Sequence, residues 1–150
     1  MLRDMGTEDL NQVLSIERNA HVSPWSRLSF EESLTKEYLC RVVEHSNEVI
    51  GYSILCPIVD ELHILNVVVA PQCQGAGIGH LLIQDLVTLA NNLKLKKVFL
   101  EVRASNFIAQ GLYEKWQFQR ISIRKRYYSA PENSDTNERE DAFIYLLSLP

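Results

Sequence analysis

Long apolar runs are missing from this chain of 150 residues. None approaches the roughly 20 residues that a membrane-crossing helix needs, so no membrane partner is expected. The opening residues, Met1-Leu2-Arg3-Asp4-Met5-Gly6-Thr7-Glu8, lack the apolar core of an export signal, and the expected location is the cytoplasm. Cysteine is scarce: Cys40, Cys56 and Cys73 form an odd set without C-x-x-C spacing, which argues against a disulfide framework and a zinc knuckle. Cys40 and Cys56 fall in apolar, strand-like runs and are expected to fill the core as reduced thiols. His21, His45, His63 and His80 are scattered without metal-ligand spacing, and no metal is expected. Positive charge is also short, with 15 Lys and Arg against 19 Asp and Glu. A net charge of -4 gives no global reason for direct nucleic-acid binding, although it tolerates a cationic peptide.

What is present has the balance of an ordinary globular chain, 46% hydrophobic and 23% charged residues. No linker or repeat divides it, so one domain spanning residues 1–150 is expected. After a short strand near Leu2 to Met5, Thr7 is placed to cap a helix with Glu8 and Asp9 in its first turn and Leu10, Val13, Leu14 and Ile16 on its apolar face. Beyond Pro24, Ser29 and Glu32 resemble a capping box for a second helix bearing Phe30 and Leu34. Tyr38 to Glu44, Val49 to Pro57 and Glu61 to Val69 read as three antiparallel strands. Ile78, Leu82, Leu86 and Leu89 form the stripe of a helix ending at Asn91-Asn92. A strand over Lys97 to Glu101, a helix capped by Ser105 and running through Trp116, and strands over Phe118 to Tyr128 and Ala142 to Leu147 complete the chain. The order is β-α-α-β-β-β-α-β-α-β-β, an α/β (α+β) chain with about seven strands. The polar stretch Ser129 to Glu140 is expected to be a mobile loop.

The most informative segment is Val67-Val68-Val69-Ala70-Pro71-Gln72-Cys73-Gln74-Gly75-Ala76-Gly77-Ile78-Gly79-His80, an apolar strand running into a glycine-rich turn that opens a helix. Backbone N–H groups freed at a helix start, with glycines permitting close approach, suit a pyrophosphate. A dinucleotide fingerprint would need a third glycine where His80 stands, and it would follow the first strand of a βαβ unit. A Walker-type loop would need Gly-Lys-Ser/Thr where Gly79-His80-Leu81 stands. What remains is Q-x-x-G-x-G, met by Gln74, Gly77 and Gly79 at the junction of a central strand and the main helix.

That pattern and the element order resemble the GNAT superfamily of acyl-CoA-dependent N-acetyltransferases over essentially the whole chain. Pro24-Trp25-Ser26, Asn66 to Val69, Leu100-Glu101-Val102-Arg103-Ala104-Ser105-Asn106, Leu112-Tyr113-Glu114, Arg124 to Tyr128 and Arg139 to Ala142 narrow the resemblance. They are similar to its RimI-type branch, whose acceptor is the N-terminal alanine of a small-subunit ribosomal protein. The resemblance implies a GNAT domain whose central mixed sheet splays between strands four and five, acting as a monomer on a basic N-terminal peptide. It implies acetyl-CoA as cosubstrate, its pyrophosphate on the backbone of Gln74, Gly75, Ala76, Gly77, Ile78, Gly79 and His80. The pantetheine arm would follow Val67, Val68 and Val69 and meet Asn106, and a backbone N–H near Val67 would serve as oxyanion donor.

Aminolysis needs a neutral amine, a base and a way to expel the thiolate. At pH 7 about a tenth of an N-terminal α-amine is already neutral, against under about a thousandth of a lysine. The resemblance makes Glu101 the general base, directly or through a water, and Tyr113 the acid that protonates the departing sulfur. Trp25, Tyr127 and Tyr128 fall where RimI-type enzymes grip the acceptor. Two readings stay open beside it: a GNAT enzyme acting on lysine or a small amine, and a module that binds acetyl-CoA without catalysis. The chain departs from the family at Gly75 and His80, where cations are usual, and at Gln117, which replaces a glycine expected to be left-handed.

Overall fold

The strand-forming runs pair as their apolar alternation requires. The computed structural model describes residues 1–36, 38–129 and 139–150, so most of the expected polar loop lies outside the described residues. Strands β1 (Leu2–Asp4), β2 (Leu39–His45), β3 (Glu48–Ile58), β4 (Glu61–Val69), β5 (Lys97–Arg103), β6 (Gln119–Tyr128) and β7 (Glu140–Ser148) form one sheet in the order β1-β2-β3-β4-β5-β7-β6. Helices α1 (Leu10–Ala20), α2 (Arg27–Thr35), α3 (Ile78–Asn92) and α4 (Phe107–Lys115) cover it, in the chain order expected from the sequence. The pairing of β4 with β5 is parallel and the other strand pairs are antiparallel.

Two apolar clusters hold the layers together. Leu10, Val13, Leu14 and Ile16 of α1 and Phe30 of α2 pack with Val42, Tyr52, Ile54 and Val68 of the sheet. Ile83, Leu86 and Ala90 of α3 and Tyr113 of α4 pack with Leu62, Val98, Leu100 and Tyr145. Cys40 and Cys56 are buried as expected. Within α3 the buried face is Leu82, Ile83, Leu86 and Ala90, turned slightly from the stripe expected through Leu89. Small Ala90 lets the helix end approach the sheet more closely than leucine would.

At α2 and α4 the cap falls on a different residue from the one expected, the one whose side-chain oxygen reaches an N–H of the first turn. Ser26, not Ser29, caps α2, its Oγ accepting from the Ser29 N–H at 3.2 Å. Asn106, not Ser105, caps α4, its Oδ1 accepting from the Ala109 N–H at 3.2 Å. Thr7 opens a short 3-10 turn, Thr7–Asp9, while the Asp9 carboxylate accepts from the Gly6 N–H at 2.8 Å and is clamped by both Nη atoms of Arg3 at 2.7 and 2.8 Å. Gln117 is left-handed at φ 71°, as expected from the glycine it replaces.

The feature that shapes the centre is a β-bulge in β4. Ile54 pairs with Asn66 but Leu55 with Ile64, so Leu65 is an extra residue, 41% exposed. The parallel pairing of β4 with β5 runs from Glu61 with Lys97 to Ile64 with Leu100. Beyond it, β4 continues to Val69 on β3 and β5 to Arg103 on β7, leaving a slot through the sheet between them. This is the splay between strands four and five.

On one side of that slot sits a buried charge. Glu17 is fully buried on the apolar face of α1. Its Oε1 accepts from Tyr52 Oη at 2.6 Å and Asn66 Nδ2 at 3.0 Å, and its Oε2 from His21 Nδ1 and the Trp25 N–H at 2.8 and 2.9 Å. Desolvation alone would raise its pKa. The hydrogen bonds from His21, Tyr52 and the Trp25 N–H outweigh it and hold the carboxyl below its ordinary range. With the folded-state pKa below the unfolded value of about 4.3, the stabilisation is full above that value and is lost as pH falls through the folded-state pKa. Glu17→Gln is therefore expected to cost about 1–3 kcal/mol at neutral pH. It should also flatten the acid limb of stability against pH, as measured by urea unfolding from about pH 7 downward.

Candidate active site

The slot opens into a cavity of about 220 Å³ whose walls are Ile64 to Val67 on one side and Leu100 to Arg103 on the other. Helix α4 supplies Asn106, Ala109 and Tyr113, while the end of α1 and its link to α2 supply His21, Ser23 and Trp25. Leu100 and Val102 pack towards α3 and α4, so alternation turns Glu101 and Arg103 to the other face of β5. The cavity thus reaches through the sheet and joins the α4 side to the α1–α2 side. A second cavity of about 680 Å³ shares Trp25, Leu65, Glu101 and Tyr128 and is bounded further by Phe99, Ile121, Tyr127 and Ile144. Glu101 lies where the two meet.

Glu101 sits within β5, two residues before its end, opposite Ile144. Its side chain is 31% exposed, and Oε1 is 3.5 Å from Arg124 Nη1, a distance too long for a strong charge-assisted hydrogen bond. Tyr113 is buried between Phe118 and Tyr145, with ring centroids at 5.4 and 6.4 Å. Burial, with a smaller effect from Tyr128, raises its pKa and keeps the phenol protonated. The Tyr128 phenol is pushed up to about 12, first by burial and then by the charge of Glu101. The Arg103 guanidinium lies 4.5 Å over the Tyr128 ring, and Tyr127 stands edge-on to it at 5.2 Å. Left-handed Arg126, φ 55°, kinks β6 just before this pair, and its N–H donates to Asp141 Oδ1 at 2.9 Å. Trp25 packs against Phe30 at 5.2 Å and is held through its N–H by Glu17.

Of the residues singled out by sequence, Glu101, Tyr113, Val67, Asn106, Trp25 and Tyr128 line one cavity, and Tyr127 lines its neighbour. Gln74, Gly75, Ala76, Gly77, Ile78, Gly79 and His80 form a separate, mostly exposed surface at the start of α3, while Val68 is in the core and Val69 leads into that surface. The loop has the backbone of a cradle. Gly75 and Gly77 both take φ 84°, with nothing near a would-be Cβ, and no side chain caps α3 at Gly77. A Cβ on Gly79 would meet Leu112 Cδ2 of α4 at 3.0 Å, so this glycine lets the two helices approach. The His80 Nδ1 accepts from Trp116 Nε1 at 3.0 Å, tying the start of α3 to the end of α4.

Sequence reasoning missed Leu65, Glu17, His21 and Asn66. The bulge leaves no mark in an apolar run. Glu17 had one: a carboxylate three residues beyond Leu14 on the buried stripe, with His21 four residues further. Among the described residues no helix is long and apolar enough to cross a membrane, and no group of three or more His, Cys, Asp or Glu is arranged to hold a metal.

The Acetyltransferase (GNAT) family model matches residues 10–118. The ribosomal protein bS18-alanine N-acetyltransferase of Haemophilus ducreyi is 33% identical, covering 99% of this chain and 100% of that one. The enzyme of the same name from Escherichia coli strain K12 is 32% identical over 99% of this chain and 97% of its own. The crystal structure of the ribosomal-protein-S18-alanine N-acetyltransferase from Escherichia coli superposes with a TM-score of 0.89, at 32% identity, covering 99% of this chain and 92% of that one. With a glycine cradle beside a slot that holds a carboxylate and a protonated phenol, the chain belongs to the GNAT acetyltransferase family.

Proposed function

We propose that this enzyme moves the acetyl group of acetyl-CoA to the N-terminal α-amine of a ribosomal protein, the N-terminal alanine of bS18, by direct aminolysis. The observation that carries this reading is the slot itself: one cavity reaches from Tyr113 and Asn106 on the α4 side to Trp25 on the other, past Glu101. Two substrates entering from opposite faces would meet there. The full-length relatives that act on the bS18 alanine supply the acceptor. In this reading the enzyme works as a cytoplasmic monomer on a ribosomal protein.

The residues at the start of α3 fit the pyrophosphate of acetyl-CoA. Gly75 and Gly77 are left-handed and no side chain caps α3, so the N–H groups of its first turn are left for a ligand. With Gly75 and His80 in place of the usual cations, and the His80 ring engaged by Trp116, these N–H groups carry the contact. Val67 to Val69 and the Asn106 amide would border the pantetheine arm. Bound there, acetyl-CoA supplies an activated thioester.

The chain's own groups then divide the proton work. Glu101, half-open to both cavities and loosely held by Arg124, takes the proton of the attacking amine, directly or through a water. Tyr113, kept protonated by burial, gives its proton to the departing sulfur. Trp25, Tyr127 and Tyr128 wall the mouth through which the N-terminal peptide arrives.

Glu101→Gln is expected to lower kcat by about 10² to 10⁴, and Tyr113→Phe by about 10², with acetyl-CoA affinity retained in both. Calorimetric binding and steady-state rates measured together check this, and unchanged turnover in both variants removes the assignment. Separately, mass spectrometry of peptides incubated with acetyl-CoA should show a free Ala-initiated peptide acetylated faster than a lysine peptide with a blocked N-terminus. The reverse preference would transfer the reading to side-chain amines.

A further inference from the structure

Proton transfer through Glu101 and Tyr113 leaves without a role a carboxylate–imidazole pair, Glu17 and His21, whose imidazole lines the same cavity. His21 ends α1 and lines the slot opposite α4, its side chain 34% exposed and its Nδ1 2.8 Å from the carboxylate of fully buried Glu17. Because an ionised carboxylate only accepts, the ring nitrogen facing it must carry a proton, and in the neutral imidazole Nε2 is then an unprotonated acceptor. Among the described residues Nε2 meets no hydrogen-bonding partner. Glu17 is itself pinned by Tyr52, Asn66 and the Trp25 N–H, so the ring is held at one nitrogen by a group that cannot turn. The same carboxylate fixes two further residues of the cavity wall, Asn66 and Trp25. A side chain that merely sealed the end of α1 would not need its tautomer set.

We propose that His21 is a binding residue for the acceptor amine, accepting through Nε2 a hydrogen bond from the N–H groups of the incoming chain terminus, and that Glu17 is the positioning residue that fixes its tautomer. The proposal rests on the acetyl-transfer reading above. His21 orients the nitrogen so that its lone pair points into the slot, while proton removal during bond formation stays with Glu101.

The test uses the whole chain and a panel containing a free Ala-initiated peptide and a lysine peptide with a blocked N-terminus. The substrate the native chain acetylates faster serves for all variants, so a wrong acceptor class is read from the native chain and the role of His21 from the variants. His21→Ala is expected to raise KM for the acceptor about tenfold while KM for acetyl-CoA stays unchanged, with a lower melting temperature because buried Glu17 loses a donor. His21→Asn separates binding from structure, because its amide N–H reproduces Nδ1 and keeps the bond to Glu17 but offers nothing in place of Nε2. A raised acceptor KM in His21→Asn supports the proposal. An acceptor KM restored to the native value in His21→Asn, or left unchanged in His21→Ala, overturns it. Glu17→Gln, whose amide can donate to Nδ1 and so move the ring proton to Nε2, should raise the acceptor KM in the same direction.

Discussion

Everything distinctive about this molecule follows from one extra residue in a strand. Leu65 breaks the match between β3 and β4, and the parallel pairing of β4 with β5 ends at Ile64 and Leu100, immediately before it. A regular strand would have carried that ladder further, closing the sheet over the place where the chemistry is proposed. The bulge instead re-aims β4 so that its last residues serve β3 alone, while β5 turns its last residues to β7. The exposed backbone of both strands then lines a slot, and the helices on the two faces become neighbours through it.

Such an opening in the middle of a sheet sacrifices ladder hydrogen bonds, and the structure compensates on either side. On one face, Tyr113, Phe118 and Tyr145 form an aromatic layer beneath the slot. On the other, Glu17 ties α1 to Tyr52 of β3, to Asn66 just beyond the bulge and to the link that carries Trp25. A buried ion is normally a liability, since removing a carboxylate from water costs several kcal/mol before any partner is counted. Here the donors that meet it come from α1, β3, β4 and a loop, so the ion works as a cross-brace at the point where backbone pairing stops.

How far the fold was legible depends on the range of the interaction that decides each feature. Element order and the glycine loop were readable because periodicity and φ > 0 requirements are local, and Gln117 was readable as left-handed for the same reason. Helix caps were misassigned by one to three residues: Ser26 and Ser29, or Ser105 and Asn106, offer equivalent oxygens, and only the entry angle of the chain selects between them. The bulge was invisible, since Ile64-Leu65-Asn66 looks like any strand interior and the mismatch exists only relative to β3. At the site, resemblance to a family pointed to Glu101, Tyr113, Trp25 and Tyr128, and the structure brings these four to the wall of one cavity. His21 and Glu17 belong to no chemical motif, and their meaning arises from Tyr52 and Asn66, distant in sequence.

Glu101 in the cavity and Glu17 buried behind its wall show why residue type alone does not assign a base. Glu17 accepts four hydrogen bonds, as many as an ionised carboxylate has lone-pair positions. Its charge is held down in pKa by those donors, and an arriving amine proton would find no vacant oxygen lone pair to receive it. Glu101 has the opposite surroundings: partial exposure, a single guanidinium at 3.5 Å and open space on both sides. Its oxygens are free to change partners with a group that enters the cavity. A carboxylate saturated with donors orients other groups, and one left unsaturated in a cavity takes protons. This division makes Glu17 a brace and is the reason the proposed proton transfer is placed on Glu101.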